Sequence, residues 1–192
     1  MNIRGVSKLR SDIEDFLEKK GKDLLLARHM AQKQLHAVKI IAVTLTTVAG
    51  EAFIPGGAMY ITATQGAAIA SLAYLYTGEI LSTESTLSIL PKFIAETAGS
   101  SLFLFVQSFL PPTGVVDVAA AGVAVLITLA LLATVNYLLA NGEELDQEEL
   151  LRSKFRKYHQ QAKDTLKELA LTDVQDLPSW TKIVKNFLEL KT

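Results

Sequence analysis

Residues 53–57 read Phe53-Ile54-Pro55-Gly56-Gly57, and residues 109–114 read Phe109-Leu110-Pro111-Pro112-Thr113-Gly114. Each stretch follows one apolar run and precedes another. Proline cannot donate the helical hydrogen bond and clashes with the preceding turn, whereas glycine lets the backbone reverse. The motif therefore predicts helix, tight tip, helix. Its recurrence about 56 residues later, with matching flanks, predicts the same unit twice.

The runs on either side differ in length. The arms entering the tips span about 15 residues (Ala37 to Glu51) and about 13 (Thr97 to Phe109). The arms leaving them, Gly57 to Gly78 and Val118 to Asn141, are uncharged throughout. At 1.5 Å per residue the entering arms reach roughly 20–23 Å and the leaving arms roughly 33–36 Å. Only the longer arms match a hydrocarbon core of about 30 Å.

Charge is distributed in three blocks. Residues 1–39 carry nine basic and five acidic side chains, and residues 143–192 carry ten acidic and nine basic. Between them, residues 40–142 carry only six charges: Glu51, Glu79, Glu84, Lys92, Glu96 and Asp117. With 19 basic against 20 acidic residues in all, no global charge points to nucleic acid, and none is expected as a partner. The chain of 192 residues has no cysteine, which excludes disulfides, thiolate zinc sites and thiol nucleophiles. The opening Met1-Asn2-Ile3-Arg4 runs into an amphipathic pattern, so a cleaved secretory signal is not expected.

The flanks read as amphipathic helices. Val6, Leu9, Ile13 and Phe16 make one apolar stripe, with Ser11-Asp12-Ile13-Glu14 in capping-box form. Leu25, Met30 and Leu35 make a second. Gly78 is placed to end a helix, and Ser82 to cap a short one through Leu87 and Leu90, before Pro91 bends the chain. Asn141-Gly142 is a stop signal. Leu151, Phe155, Tyr158, Ala162, Leu166 and Leu169 predict a tail helix. After a turn over Thr172 to Pro178, Ser179 is placed to cap a last one carrying Trp180, Ile183, Val184, Phe187 and Leu188. No segment alternates with period two. The expected fold is all-α: two consecutive apolar helical hairpins forming a four-helix core, flanked by amphipathic helices. The expected domains are a head (1–36), a duplicated hairpin domain (37–142) and a tail (143–192) packing on or near the core.

Catalytic signatures are missing from the sequence. Gly21-Lys22 is followed by Asp23, with no glycine upstream at phosphate-loop spacing. His29 and His36 are seven apart with no carboxylate partner, and they read, like His159, as surface or packing residues. The serines, Ser82, Ser85, Ser100 and Ser101 among them, sit in no nucleophile elbow. Neither enzyme activity nor a cofactor or metal is expected. Small residues recur every four positions at Ala63, Ala67, Ser71 and at Ala120, Ala124, Thr128, a ridge that suits membrane helices and tight soluble cores alike. The candidate site is the pair of tips: Glu51, Pro55, Gly56 and Gly57 in the first, Pro111, Pro112, Gly114 and Asp117 in the second. Glu51 and Asp117 read either as solvated tip acids or as a polar cluster lining an aqueous opening.

From about Leu35 to Leu139 the chain resembles a bacterial family of unknown function often fused to, or encoded beside, small Ras-like GTPases, which includes the YcjF-type membrane proteins. The resemblance rests on Ile54-Pro55-Gly56, on the apolar arm ending Leu75-Tyr76-Thr77-Gly78, and on Leu110-Pro111 through Gly114 with its alanine-rich continuation. That family has Tyr directly before Gly, where Thr77 intervenes here. The resemblance implies membrane association and a small GTPase partner.

The leading expectation is a non-enzymatic, membrane-associated adaptor or effector working with a small GTPase. It would sit at the bacterial inner membrane as a homo-oligomer, with cytoplasmic termini. Lys33, Lys39 and the bases from Arg152 to Lys157 flank the apolar block while the tips have none, as the positive-inside rule requires. Two alternatives stay open. One is a pore-former or membrane remodeller that unpacks its hairpins onto lipid. The other is a soluble cytoplasmic scaffold, favoured by the modest mean hydropathy of +0.28.

Overall fold

The computed structural model describes residues 33–54, 57–82, 84–86, 88–89, 115–167 and 176–189. These form α1 (Lys33–Glu51), α2 (Ala58–Thr77), α3 (Val115–Ala140), α4 (Glu148–Lys167) and α5 (Leu177–Glu189). The protein is all-α, with no strand among the described residues. The first head helix, the arm from Thr97 to Phe109, and Pro55, Gly56, Pro111, Pro112 and Gly114 lie outside the described residues, as do His29, Leu87, Leu90, Pro91, Ser100 and Ser101.

Polar contacts fix the directions of the helices. Lys33 Nζ donates to the Tyr76 carbonyl at 3.2 Å, joining the start of α1 to the end of α2. Thr64 Oγ1 donates to Glu51 Oε1 at 2.8 Å, joining the end of α1 to the first half of α2. The two helices are therefore antiparallel. Gln65 Nε2 donates to Thr128 Oγ1 and Tyr76 Oη to Asn136 Oδ1, each at 2.8 Å, so α2 and α3 run parallel. The start of α3 thus lies at the end of the bundle that carries the α1–α2 turn.

The α1 arm is longer than the sequence suggests. It extends back to Lys33 because Lys33 and Gln34 continue the helix and bond to Tyr76. With 19 residues against 20, the paired helices are nearly equal, about 28 and 30 Å long, and the expected mismatch disappears for this pair.

Helix ends follow local chemistry. Gly78 adopts φ 83°, a left-handed conformation that a side chain disfavours, and its N–H reaches Tyr74 O. After α3, Gly142 (φ 73°) donates to Leu139 O and Glu143 N to Leu138 O, the paired bonds of a Schellman stop. Ser82 caps the short helical turn after α2: its Oγ accepts from Ser85 N at 3.0 Å. The last helix starts differently from the sequence expectation. Asp176, not Ser179, is its cap, accepting from Ser179 N at 2.9 Å, and Pro178 falls in the first turn, where its missing N–H costs nothing. Hydrogen bonds from Ser179 hold the Asp176 carboxyl below its ordinary value.

One buried cluster joins all five helices, with Ile41 of α1, Leu72 of α2, Leu129 of α3, Phe155 of α4 and Trp180 of α5 among its members. Helix α3 is central. It packs on α1, α2 and α4, while α5 packs on α1 and reaches α4 through the Tyr158–Phe187 ring contact at 6.0 Å. Residues Ala121–Ala140 are long and apolar enough to cross a membrane by length and composition, and 72% of that window is buried inside the protein.

Candidate functional site

From Ile40 to Gly78 the chain carries a single charge, Glu51. The structure folds this stretch into a two-helix layer with an outer face. On α1, Leu35, Lys39, Val43 and Thr47 are exposed every four residues; on α2, Met59, Ala63 and Ala67 repeat that spacing. The turn adds exposed Phe53 and Ile54, with Tyr60 beside Met59, which is 71% exposed. Between Lys39 and Glu79 this face shows water no charge beyond the half-buried Glu51.

Glu51 is neither a freely solvated tip acid nor part of an open polar cluster. One oxygen accepts from Thr64, and the other is buried without a hydrogen-bond partner. The second tip acid, Asp117, lies in the first turn of α3. Gly57 is required by close approach: a Cβ there would stand 2.0 Å from the Glu51 carbonyl oxygen and 2.8 Å from that of Ile54. The turn closes through Gly57 N to Ile54 O at 2.8 Å and Ile54 N to Glu51 O at 3.0 Å.

The hydroxyls on this face are already satisfied. Thr44, Thr46 and Thr47 donate to Ile40 O, Ala42 O and Val43 O, and Ser71 donates to Ala67 O, each four residues back. Two grooves flank α2. One, about 440 Å³, lies between α1 and α2 and runs from His36 and Lys39 past Val43 and Ala67 to Thr47 and Thr64. The other, about 480 Å³, lies on the far edge between Ala63, Gly66 and Ala70 of α2 and Leu81 and Thr86.

The opposite side of α3 is built differently. Helix α4 buries Leu151, Phe155, Tyr158 and Ala162 and exposes Glu148, Glu149, Arg156, Lys157, Gln160 and Asp164. Its acids begin the helix, where the macrodipole favours them, and Glu148 pairs with Arg152 one turn on. Lys154 Nζ lies 4.0 Å from the Tyr137 ring centroid, fastening α4 to α3. Burial and Tyr137 push the Tyr158 hydroxyl up to about 12. His159 stacks on Phe155 with ring centroids 5.6 Å apart, and burial and nearby Lys163 push its pKa down. No group of metal-ligating side chains gathers among the described residues.

No family model, curated protein or solved structure matches the chain. What distinguishes the molecule is its two unlike faces. Sequence reasoning placed Glu51 and Gly57 in the first tip but missed the groove beside them. It also missed the buried contacts that set the register: Gln65 with Thr128, and Asn136 with Tyr76 and Gln34. The partners in those contacts are 60 or more residues apart, so no local pattern announces them.

Proposed function

We propose that the protein is a non-enzymatic, membrane-associated helical module that rests on lipid through the outer face of α1 and α2 and keeps α4 toward water. The observation that carries this reading is the face itself: two helices and a turn with Phe53, Ile54, Met59 and Tyr60 outward and no exposed base beyond Lys39. An interfacial helix layer of this kind sinks its apolar side about 5–10 Å into the headgroup boundary. The charged α4 face opposes deeper burial, because a charge carried to the bilayer centre costs about 2.5–3.5 kcal/mol on insertion scales. In this reading α1 and α2 are the first of two hairpins, and α3 begins at the end where a second Pro-Gly tip would stand. The small GTPase implied by the family resemblance would meet the water-facing side, at the cytoplasmic surface of a bacterial inner membrane.

The test is fractionation of cells producing the full chain. The protein should sediment with membranes, resist high salt because its contact is uncharged, and come off in alkaline carbonate because it does not span. Recovery in the soluble fraction throughout would sink the reading. Resistance to carbonate would instead favour a second state, in which α4 lifts away and Ala121–Ala140 crosses the bilayer, as a pore-former or remodeller requires. For the GTPase partnership, the purified chain should bind neither GTP nor ATP at micromolar concentration by calorimetry. A micromolar dissociation constant without a copurified partner would end that part of the proposal.

A further inference from the structure

The groove between α1 and α2 is electrically polarised, and its shape and chemistry suit one occupant. Lys39 and His36 line one end, one turn apart on the same side of α1. Lys39 makes no ion pair with a described residue. Thr47 and Thr64 line the other end, where Thr64 is held by the Glu51 carboxylate. Between them the walls are Val43, Ala67 and Ala68 with hydroxyls of Thr44, Thr47 and Ser71, whose protons are committed to their own helices. A wall of satisfied hydroxyls and small side chains does not penalise an apolar chain laid against it. From His36 to Thr47 the groove follows eleven residues of α1, about 16 Å, close to the hydrocarbon depth of one leaflet, half of about 30 Å.

We propose that this groove binds an anionic phospholipid of the bilayer, its phosphate at Lys39 and His36 and one acyl chain laid toward Thr47 and Thr64. The Glu51 carboxylate at the far end fixes the orientation, since it repels a phosphate that Lys39 attracts. The inference rests on the membrane reading and adds to it a headgroup preference read by one lysine.

The experiment measures binding of the full chain to two kinds of vesicle: phosphatidylcholine alone, and phosphatidylcholine with about a quarter phosphatidylglycerol. The parent should bind both, and the anionic vesicles about fivefold more tightly, the scale expected for one basic residue at an anionic surface. Lys39→Gln should abolish that preference while leaving binding to neutral vesicles unchanged. Ala67→Trp and Val43→Trp fill the groove from opposite walls at exposed positions and leave Lys39 in place; with native helicity by circular dichroism, both should also lose the preference. If either tryptophan variant keeps it, the attraction belongs to the surface at large and the groove site is wrong. Equal binding of the parent to both vesicles overturns the site but leaves the membrane reading standing. Binding to neither overturns both.

Discussion

The outer faces of the α1–α2 layer and of α4 lie on opposite sides of the same buried helix, and they solve exposure in different ways. Helix α4 separates its two sides completely, with aromatics inward and six exposed charged or amide side chains outward. The α1–α2 layer makes no such separation: its outward positions are valine, threonine, alanine, methionine and tyrosine. A helix in contact with water alone gains from charged positions, as α4 shows. A layer that leaves them out along two helices is adapted to a second medium, and the contrast identifies which side of the molecule that medium touches.

The largest expected effect tests whether α4 is the cover the comparison makes it. Phe155→Ala removes a fully buried ring from the seam between α4 and α3 and should cost about 3–5 kcal/mol in urea unfolding. It should also raise binding to neutral vesicles by loosening the cover over α3. A loss below about 1 kcal/mol would mean that α4 is not seated there.

Next comes the seam on the other side. Thr128→Val leaves the Gln65 amide buried without its acceptor and should cost about 1–3 kcal/mol. The double change with Gln65→Leu should recover most of that, because both partners then become apolar. A double-mutant cycle with no coupling would deny the pair its role in setting the register of α2 on α3.

Surface charges provide the sharpest test of the contrast. Val43→Asp with Met59→Asp should leave stability within about 0.5 kcal/mol, since both sites are exposed. Vesicle binding should fall about tenfold, at up to about 1 kcal/mol per interfacial charge. Gln160→Asp on α4 should change neither quantity. Equal behaviour of the two faces would erase the distinction between them.

The smallest effect is a pH dependence from the wet side. His159 has its pKa pushed below the ordinary 6.5 by burial and Lys163, so near and below that pH the unfolded chain binds more protons than the folded one. Stability should therefore decline slightly as pH falls from about 7 to about 5.5, the half-exposed ring limiting the size of the effect. His159→Gln should flatten this part of the melting-temperature profile. An unchanged slope would assign it to other groups.

Signals that close within a few residues were legible in the sequence. Gly78, Asn141-Gly142 and Ser82 end or start helices where their own chemistry says they should. Gly57 was also legible, because a turn this tight admits no Cβ beside the Glu51 carbonyl. Ser179 misled because Asp176, three residues earlier, is the better acceptor and Pro178 fits the first turn behind it. Glu51 could be placed near a tip but not oriented, since its partner Thr64 lies across the turn on another helix. Helix α3 hid its neighbours most completely: it is apolar all round and marks no side as inward. The two faces of the molecule therefore emerge only once α3 is set between α4 and the α1–α2 layer.

The threonines of α1 bear on the order in which the molecule assembles. Thr44, Thr46 and Thr47 find their acceptors within one turn of their own helix, so these bonds form as soon as that helix does and await no distant segment. The bond from Gln65 to Thr128 spans 63 residues and exists only after a long loop has closed, the slow kind of contact in folding. Helices α1 and α2, joined by a six-residue turn, therefore pair early, and α3 takes its register last. On a ribosome the uncharged layer is complete before its water-facing cover has been made, and during that interval both of its sides are bare.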